Sequence, residues 1–226
     1  MDYLFGTPFK LEQNKEMYHF NSDSELLGRF LNLKNTDRVL DVGTNNGVLL
    51  CYASMHNPME LCGIDLFSEV ISLCRSNLEY NGIKAELFAI PLQEFEHEPF
   101  TAVVCNPPFF TTTNNSLKSE NPYLRAARHS DFLSIKELFL HSRRLLEPGG
   151  SLSLVIPYVC LEDVQQAAKD IGFTLVRLAS VYDRPGGKIK RLLMEFRYGS
   201  FTELRIEPIR YLDRLHEKSE KLSENR

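Results

Sequence analysis

The residues with the clearest chemical promise stand where an apolar run stops. Thr101-Ala102-Val103-Val104-Cys105 leads straight into Asn106-Pro107-Pro108-Phe109. A strand that meets two prolines cannot continue, because neither has a backbone N–H to give a sheet. The asparagine is then left at a strand tip, with its amide and the nearby carbonyls turned outward and the face of Phe109 beside them. Carbonyl oxygens next to a flat aromatic surface suit the gripping of a planar group that carries an NH2. A strand-ending turn is the plainer reading of the same four residues, and short motifs match by chance. The surrounding chain has to decide between the two.

A second constellation lies upstream. Arg38-Val39-Leu40-Asp41-Val42 reads as a short strand that breaks at Gly43 and continues Thr44-Asn45-Asn46-Gly47 into a helix. Glycine lets the backbone turn sharply and approach a ligand, and the helix that follows leaves its first N–H groups free. The next strand ends at Asp65-Leu66, with Asp65 24 residues after Asp41. A carboxylate at that spacing, on the neighbouring strand tip, suits a ribose hydroxyl pair. A dinucleotide site wants G-x-G-x-x-G, whose middle glycine lets the pyrophosphate come close. Here only Gly43 and Gly47 are present, with Asn45 in the middle place. A cofactor with a ribose and an adenine but no phosphate fits better, which favours S-adenosylmethionine.

Strand-like and helix-like segments alternate along the chain. Ser22 and Glu25 form an S-x-x-E capping box that predicts a helix over 22–33. The pattern then predicts strand 38–42, helix 47–56, strand 61–64, helix 67–80 stopped by Asn81-Gly82, strand 85–90 and strand 101–105. It lapses until about residue 131, the mark of a functional or mobile loop. Helix 134–146, strand 152–156, helix 161–171 and strands 173–181 and 192–196 complete the series. The reading is α/β: a Rossmann-like, seven-stranded, mostly parallel sheet with one antiparallel edge strand and helices on both faces. Residues 1–35 form an N-terminal extension with the first helix, 36–200 the main domain and 201–226 a charged tail, frayed or disordered from 213.

With 226 residues, 43% hydrophobic and 25% charged, the composition is that of a soluble globular protein. No apolar run approaches the roughly 20 residues that cross a bilayer. Met1–Gly6 lacks the basic and apolar regions of a secretory signal, so the cytoplasm is the expected location. Cys51, Cys62, Cys74, Cys105 and Cys160 fit neither a metal site nor a disulfide framework and read as buried thiols. The net charge of −4 disfavours a protein coated in positive charge but permits local basic patches. Candidates are Lys118, Arg125 and Arg128 in one stretch, and Arg184, Lys188, Lys190 and Arg191 in another. Arg143 and Arg144 fall in a last helical turn, where the dipole favours cations without any ligand. A monomer is the default.

Together these residues resemble the class I S-adenosylmethionine-dependent methyltransferases that carry an N-P-P-F/Y motif after the fourth strand. Within that group the chain is similar to the bacterial enzymes that methylate N6 of an adenine beside the anticodon of valine tRNA. The similarity covers roughly residues 20–200. It rests on Phe20-Asn21-Ser22-Asp23-Ser24-Glu25-Leu26-Leu27, Leu40-Asp41-Val42-Gly43-Thr44-Asn45-Asn46-Gly47, Asn106-Pro107-Pro108-Phe109-Phe110, Ala127-Arg128-His129 and Glu147-Pro148-Gly149-Gly150.

The resemblance implies tRNA as partner, with Asp41, Gly43, Thr44, Asn45, Gly47, Asp65, Leu66 and Asn106 around the cofactor. Where such enzymes often have an acidic residue after the third strand, this chain has Ile90-Pro91-Leu92-Gln93, so Gln93 or backbone N–H groups would serve. The Asn106 side-chain oxygen and the Pro107 carbonyl would accept from the adenine amine and localise its lone pair. Pro108 adds no competing donor. Phe109, with Phe110, would stack on a base that is splayed out of its helix. Lys118, Arg125 and Arg128 would meet phosphate. Tyr123 is a further stacking candidate or a loop-anchoring aromatic, and His129 a proton acceptor or a loop-packing residue. No metal or general base is required.

Two other acceptors present a similar NH2: a glutamine side chain in a release-factor protein, and adenine in DNA. The first usually needs an N-terminal helical domain, and only about 35 residues precede the first strand; the second lacks a target-recognition domain. A non-catalytic RNA-binding module on the same scaffold is the remaining alternative, disfavoured by the intact Asp41, Gly43, Asp65 and Asn106.

Overall fold

The computed structural model describes residues 1–15, 17, 19–108, 133–199, 203–213 and 215. The expectations for Phe109, Phe110, Lys118, Tyr123, Arg125, Arg128 and His129 lie outside the described residues. Two short paired strands, β1 (Asp2–Tyr3) and β2 (Lys10–Leu11), precede helix α1 (Ser22–Gly28). Then follow β3 (Arg38–Val42), α2 (Val48–Ser54), β4 (Glu60–Asp65), α3 (Ser68–Tyr80), β5 (Glu86–Ala89) and β6 (Phe100–Cys105). The remaining elements are α4 (Ile135–Leu145), β7 (Leu146–Pro157), α5 (Leu161–Ile171), β8 (Phe173–Tyr182), β9 (Ile189–Tyr198), β10 (Arg205–Ile206) and β11 (Arg210–Tyr211).

The main sheet has the order β10-β8-β9-β7-β6-β3-β4-β5, with β11 also paired to β8. Strands β3 to β7 run parallel to one another, and β9 is antiparallel to both of its neighbours. The antiparallel strand therefore lies between β7 and β8 rather than outermost. The winding reverses between β3 and β6, the place where open α/β sheets hold ligands.

Alternation along the strands explains the two covered faces. On β6, Ala102 and Val104 join the core under α1, α2 and α3, while Val103 and Cys105 join the core under α4 and α5. Cys51, Cys62, Cys74 and Cys105 are free and buried, and Cys160 is half-buried. A Ser134–Glu137 capping box opens α4.

Helix α1 is shorter than its apolar pattern predicts, and its cap differs. Asn21 is the N-cap, its Oδ1 accepting from the N–H of Asp23 at 3.0 Å and of Ser24 at 3.4 Å. Glu25, released from the expected box, turns inward and accepts from the Phe5 N–H at 3.3 Å. Gly28 ends the helix against Tyr52, whose ring would overlap any Cβ placed there. Past residue 200, where the sequence suggests a charged tail, β10 and β11 extend the sheet and Leu215 is buried. Among the described residues no helix is long and apolar enough to cross a membrane.

Candidate active site

Strand register brings the two constellations together. Val42 at the end of β3 lies opposite Ile64 on β4 and Cys105 on β6. The chain therefore leaves the sheet side by side at Gly43, Asp65 and Asn106. The turn after β3 is pinned to β4, because the N–H groups of Gly43 and Thr44 both donate to the Ile64 carbonyl, at 3.0 and 2.9 Å. Gly43 has φ +71° and open space where a Cβ would point. Asn45, in the place of a middle glycine, has φ +49°. Asparagine is the side chain that best tolerates this left-handed backbone. Its N–H donates to Asp65 Oδ2 at 3.1 Å.

Asp65 also accepts from the Leu66 N–H at 2.8 Å. Burial raises its pKa, opposed by the N–H groups of Asn45, Leu66 and Phe67. Asp41 sits deeper. Its Oδ2 accepts from the Thr44 hydroxyl at 2.8 Å, while its Oδ1 is buried without a partner among the described residues. Burial pushes Asp41 up to about 7 from 3.8; the Thr44 hydrogen bond opposes this and the charge of Asp65 adds to it.

These groups surround a cavity of about 520 Å³, within the roughly 300–1,000 Å³ usual for small-molecule sites. Gly43, Thr44, Asn45, Asp65, Leu66, Gln93, Asn106, Pro107 and Pro108 all line it. Asp41 and Gly47 do not reach its wall: Asp41 supports the turn from behind, and Gly47 faces Cys74 and Leu78. Gln93 hydrogen-bonds the Glu137 carboxylate, which Ser134 first and Gln93 after it hold below the usual carboxylate range.

A third wall goes unannounced in the sequence. Phe20, Asn21, Asp23 and Ser24 from the start of α1 line the cavity, as do Pro157, Val159 and Arg191. Asn106 Nδ2 donates to Ser24 Oγ at 3.1 Å. Arg191 Nε donates to both carboxylate oxygens of Asp23, each at 2.9 Å. The Phe20–Leu27 segment carries part of the family resemblance, but its local pattern is that of a helix start and contains no sign of these contacts.

The wall suits a ribosyl cofactor without phosphate. It offers a carboxylate at the strand tip, an open-faced glycine and an apolar slot of Leu66, Phe67, Ile90 and Leu92. Arg191 is the one cation among the described lining residues, and it is engaged by Asp23.

Comparison with known proteins fits this geometry. A family model described as the methyltransferase small domain matches residues 17–129. The chain belongs to that family. This small-domain methyltransferase is 29% identical to the tRNA1(Val) (adenine(37)-N6)-methyltransferase of Parabacteroides distasonis, over 83% of the chain and 80% of the relative. It is also 29% identical to the protein of that name from Pseudoalteromonas translucida, over 84% of the chain and 82% of the relative. In fold it is similar to a predicted O-methyltransferase of Agrobacterium tumefaciens, with TM-score 0.64, 17% identity and coverage of 84% and 86% of the two chains. A methyltransferase of Pyrococcus furiosus gives TM-score 0.63 at 16% identity, covering 87% of this chain and 91% of that one.

Proposed function

We propose that this enzyme methylates the exocyclic N6 amine of an adenine in tRNA, next to the anticodon, with S-adenosylmethionine as donor, and that it works in the cytoplasm. The observation that carries the reading is the placement of Asn106-Pro107-Pro108 beside the Gly43–Asn45 turn and Asp65, all on one cavity. The names of the two tRNA-modifying relatives support the choice of tRNA.

When bound, S-adenosylmethionine supplies a methyl group already activated by a sulfonium. Asp65 and Leu66 would hold its ribose end, and Gly43, Thr44 and Asn45 the backbone turn that it lies against. Asp41 and Gly47 would set the shape of that turn. Gln93 would face the adenine end of the cofactor, its amide tied to Glu137.

On the acceptor side an adenine amine is a poor nucleophile, because its lone pair is delocalised into the ring. Asn106 Nδ2 is committed to Ser24, so Oδ1 is the end of the amide suited to accept an amine hydrogen. The Pro107 carbonyl is the second acceptor. Together they would draw the nitrogen toward a tetrahedral form, and neither proline adds an N–H that competes. Holding the amine in line with the methyl group contributes up to roughly 7–11 kcal/mol, as orientation does elsewhere. Phe109 and Phe110 would stack on the flipped base, worth about 1–3 kcal/mol per base, and Lys118, Arg125 and Arg128 would meet phosphate.

The test offers labelled methyl donor together with unmodified tRNA, duplex DNA and a release factor, followed by digestion. N6-methyladenosine in tRNA is expected. Label found only in protein glutamine or only in DNA would overturn the assignment. Asn106→Ala should remove transfer and leave calorimetric cofactor binding nearly intact; equal loss of both would make Asn106 structural.

A further inference from the structure

The Asn106 amide needs an orientation as well as a position. Its acceptor and donor ends are nearly equal in size, and turned by half a revolution it would aim N–H groups at the N–H groups of the substrate amine. Strand β6 fixes where Asn106 stands but leaves that rotation open.

We infer that Ser24 is the positioning residue that holds the Asn106 amide for methyl transfer, its Oγ accepting from Nδ2, with the hydroxyl proton turned away from the amide, so that Oδ1 is presented to the substrate amine. The inference rests on the proposed amine chemistry and extends it to a residue 82 positions away.

The contact is 3.1 Å, and Ser24 is 7% exposed while still lining the cavity. A buried hydroxyl at that distance is a defined partner rather than a solvent-averaged one. Ser24 is itself held. Its N–H donates to the Asn21 cap, and the neighbouring Asp23 is gripped through both oxygens by Arg191 on β9. This is a charge-assisted contact in which one Nε–H is shared by both oxygens. The opening turn of α1 is thereby tied to the sheet at the edge where β7 and β9 meet, since Arg191 lies in register with Pro157. The hydroxyl that meets Asn106 is delivered by a clamped turn.

Losing the hydroxyl should act on the chemical step. The proposed cofactor wall is built chiefly by the β3 turn and Asp65, whose own hydrogen bonds run to Ile64, Asn45 and Leu66. The test compares full-length parent, S24A, S24T and N106A for methyl transfer to unmodified tRNA, with calorimetric titration of S-adenosylmethionine and thermal melting. S24A is expected to lower kcat by about tenfold to a hundredfold, the scale of a misaligned reacting group. KM for tRNA and the cofactor dissociation constant should stay within about twofold, the pattern of an interaction made in the transition state alone. S24T should recover most of kcat. If S24A proves unstable, S24C keeps the volume with a weak acceptor, and the same kcat loss is expected of it.

A parental kcat in S24A, or in S24C where S24A is unstable, overturns the inference. So does a loss that appears equally in cofactor binding, or one that S24T fails to recover. N106A separates the two levels of the reading. If N106A still transfers methyl at the parental rate, the amine chemistry fails and Ser24 fails with it. If N106A is inactive while S24A is unimpaired, only the role of Ser24 fails.

Discussion

Replacing Asp41 by asparagine isolates one buried carboxylate from the rest of the molecule. Asp41 is fully buried, accepts from Thr44 through Oδ2 and has no partner among the described residues for Oδ1. Burial raises its pKa from 3.8 to about 7. Between those values the folded state holds a proton that the unfolded chain has lost, so stability falls as pH rises from about 4 to about 7 and levels off above. A shift of about three units at about 1.4 kcal/mol each makes the ionised group about 4 kcal/mol unfavourable to folding at pH 8. Asparagine keeps the size and an acceptor for the Thr44 hydroxyl, and it carries no charge. Urea denaturation of parent and D41N at pH 5 and pH 8 measures the effect. The stability of D41N relative to the parent should rise by about 2–3 kcal/mol between those values, because the first part of the shift, from about pH 4 to pH 5, is already expressed at pH 5. Taking the difference cancels the other titrating groups except Asp65, whose charge acts directly on Asp41. Cofactor affinity supplies a second readout. A cationic ligand in the cavity favours the ionised form, so parental affinity should strengthen from pH 6 to pH 8 and that of D41N should not. A stability difference independent of pH would refute the assignment of a raised pKa to Asp41.

Two further substitutions probe the frame that holds the site. Gly28→Ala ordinarily helps a helix, yet here the new methyl group meets the Tyr52 ring. A loss of about 1–3 kcal/mol is expected from overpacking, seen as a lower melting temperature; a gain would show that α1 and α2 can move apart. Arg177 and Glu195 form a buried pair at 2.8 Å, and Arg177 also donates to the Phe30 carbonyl at 2.7 Å. Glu195→Ala leaves a guanidinium in the core, where breaking a buried pair costs about 3–5 kcal/mol. Glu207, 3.7 Å from Arg177, should hold the loss to the lower end. Denaturation of E195A, E207A and the double variant tests this, and additive losses would show that Glu207 offers no compensation.

The parts of the site that lie on strand tips were legible in the sequence because each is announced by its neighbours. A strand broken by Gly43, an acid ending the next strand and two prolines ending another are local signals, and parallel order then forces the tips together. Asn45 shows where the signal is degenerate. It reads as a missing glycine, yet its φ of +49° supplies the same turn, and its N–H orients Asp65. Asp41 shows the opposite error. A carboxylate beside a glycine turn suggests a ligand contact, whereas the structure buries it behind the wall. The apolar pattern over 22–33 overstates α1, because Phe30 and Leu31 are buried in the core beyond the helix end at Gly28 rather than within a longer helix.

What no local pattern announces is the orientation of the Asn106 amide. Asn106 takes its position from β6, its rotation from Ser24 on α1, and the steadiness of Ser24 from an arginine on β9. The partners are separated by 82 and 168 residues. Each residue has a sufficient local explanation of its own: Ser24 and Asp23 belong to a helix start, and Arg191 to the opening of a strand in a basic stretch. Only the placement of antiparallel β9 between β7 and β8 brings Arg191 over the start of α1. A change that slides β9 against β7 while leaving the β3 turn and Asp65 in place should therefore impair methyl transfer more than cofactor binding. On the proposed reading the cofactor would rest on β3 and β4, whereas the acceptor side depends on the β7–β9 pairing.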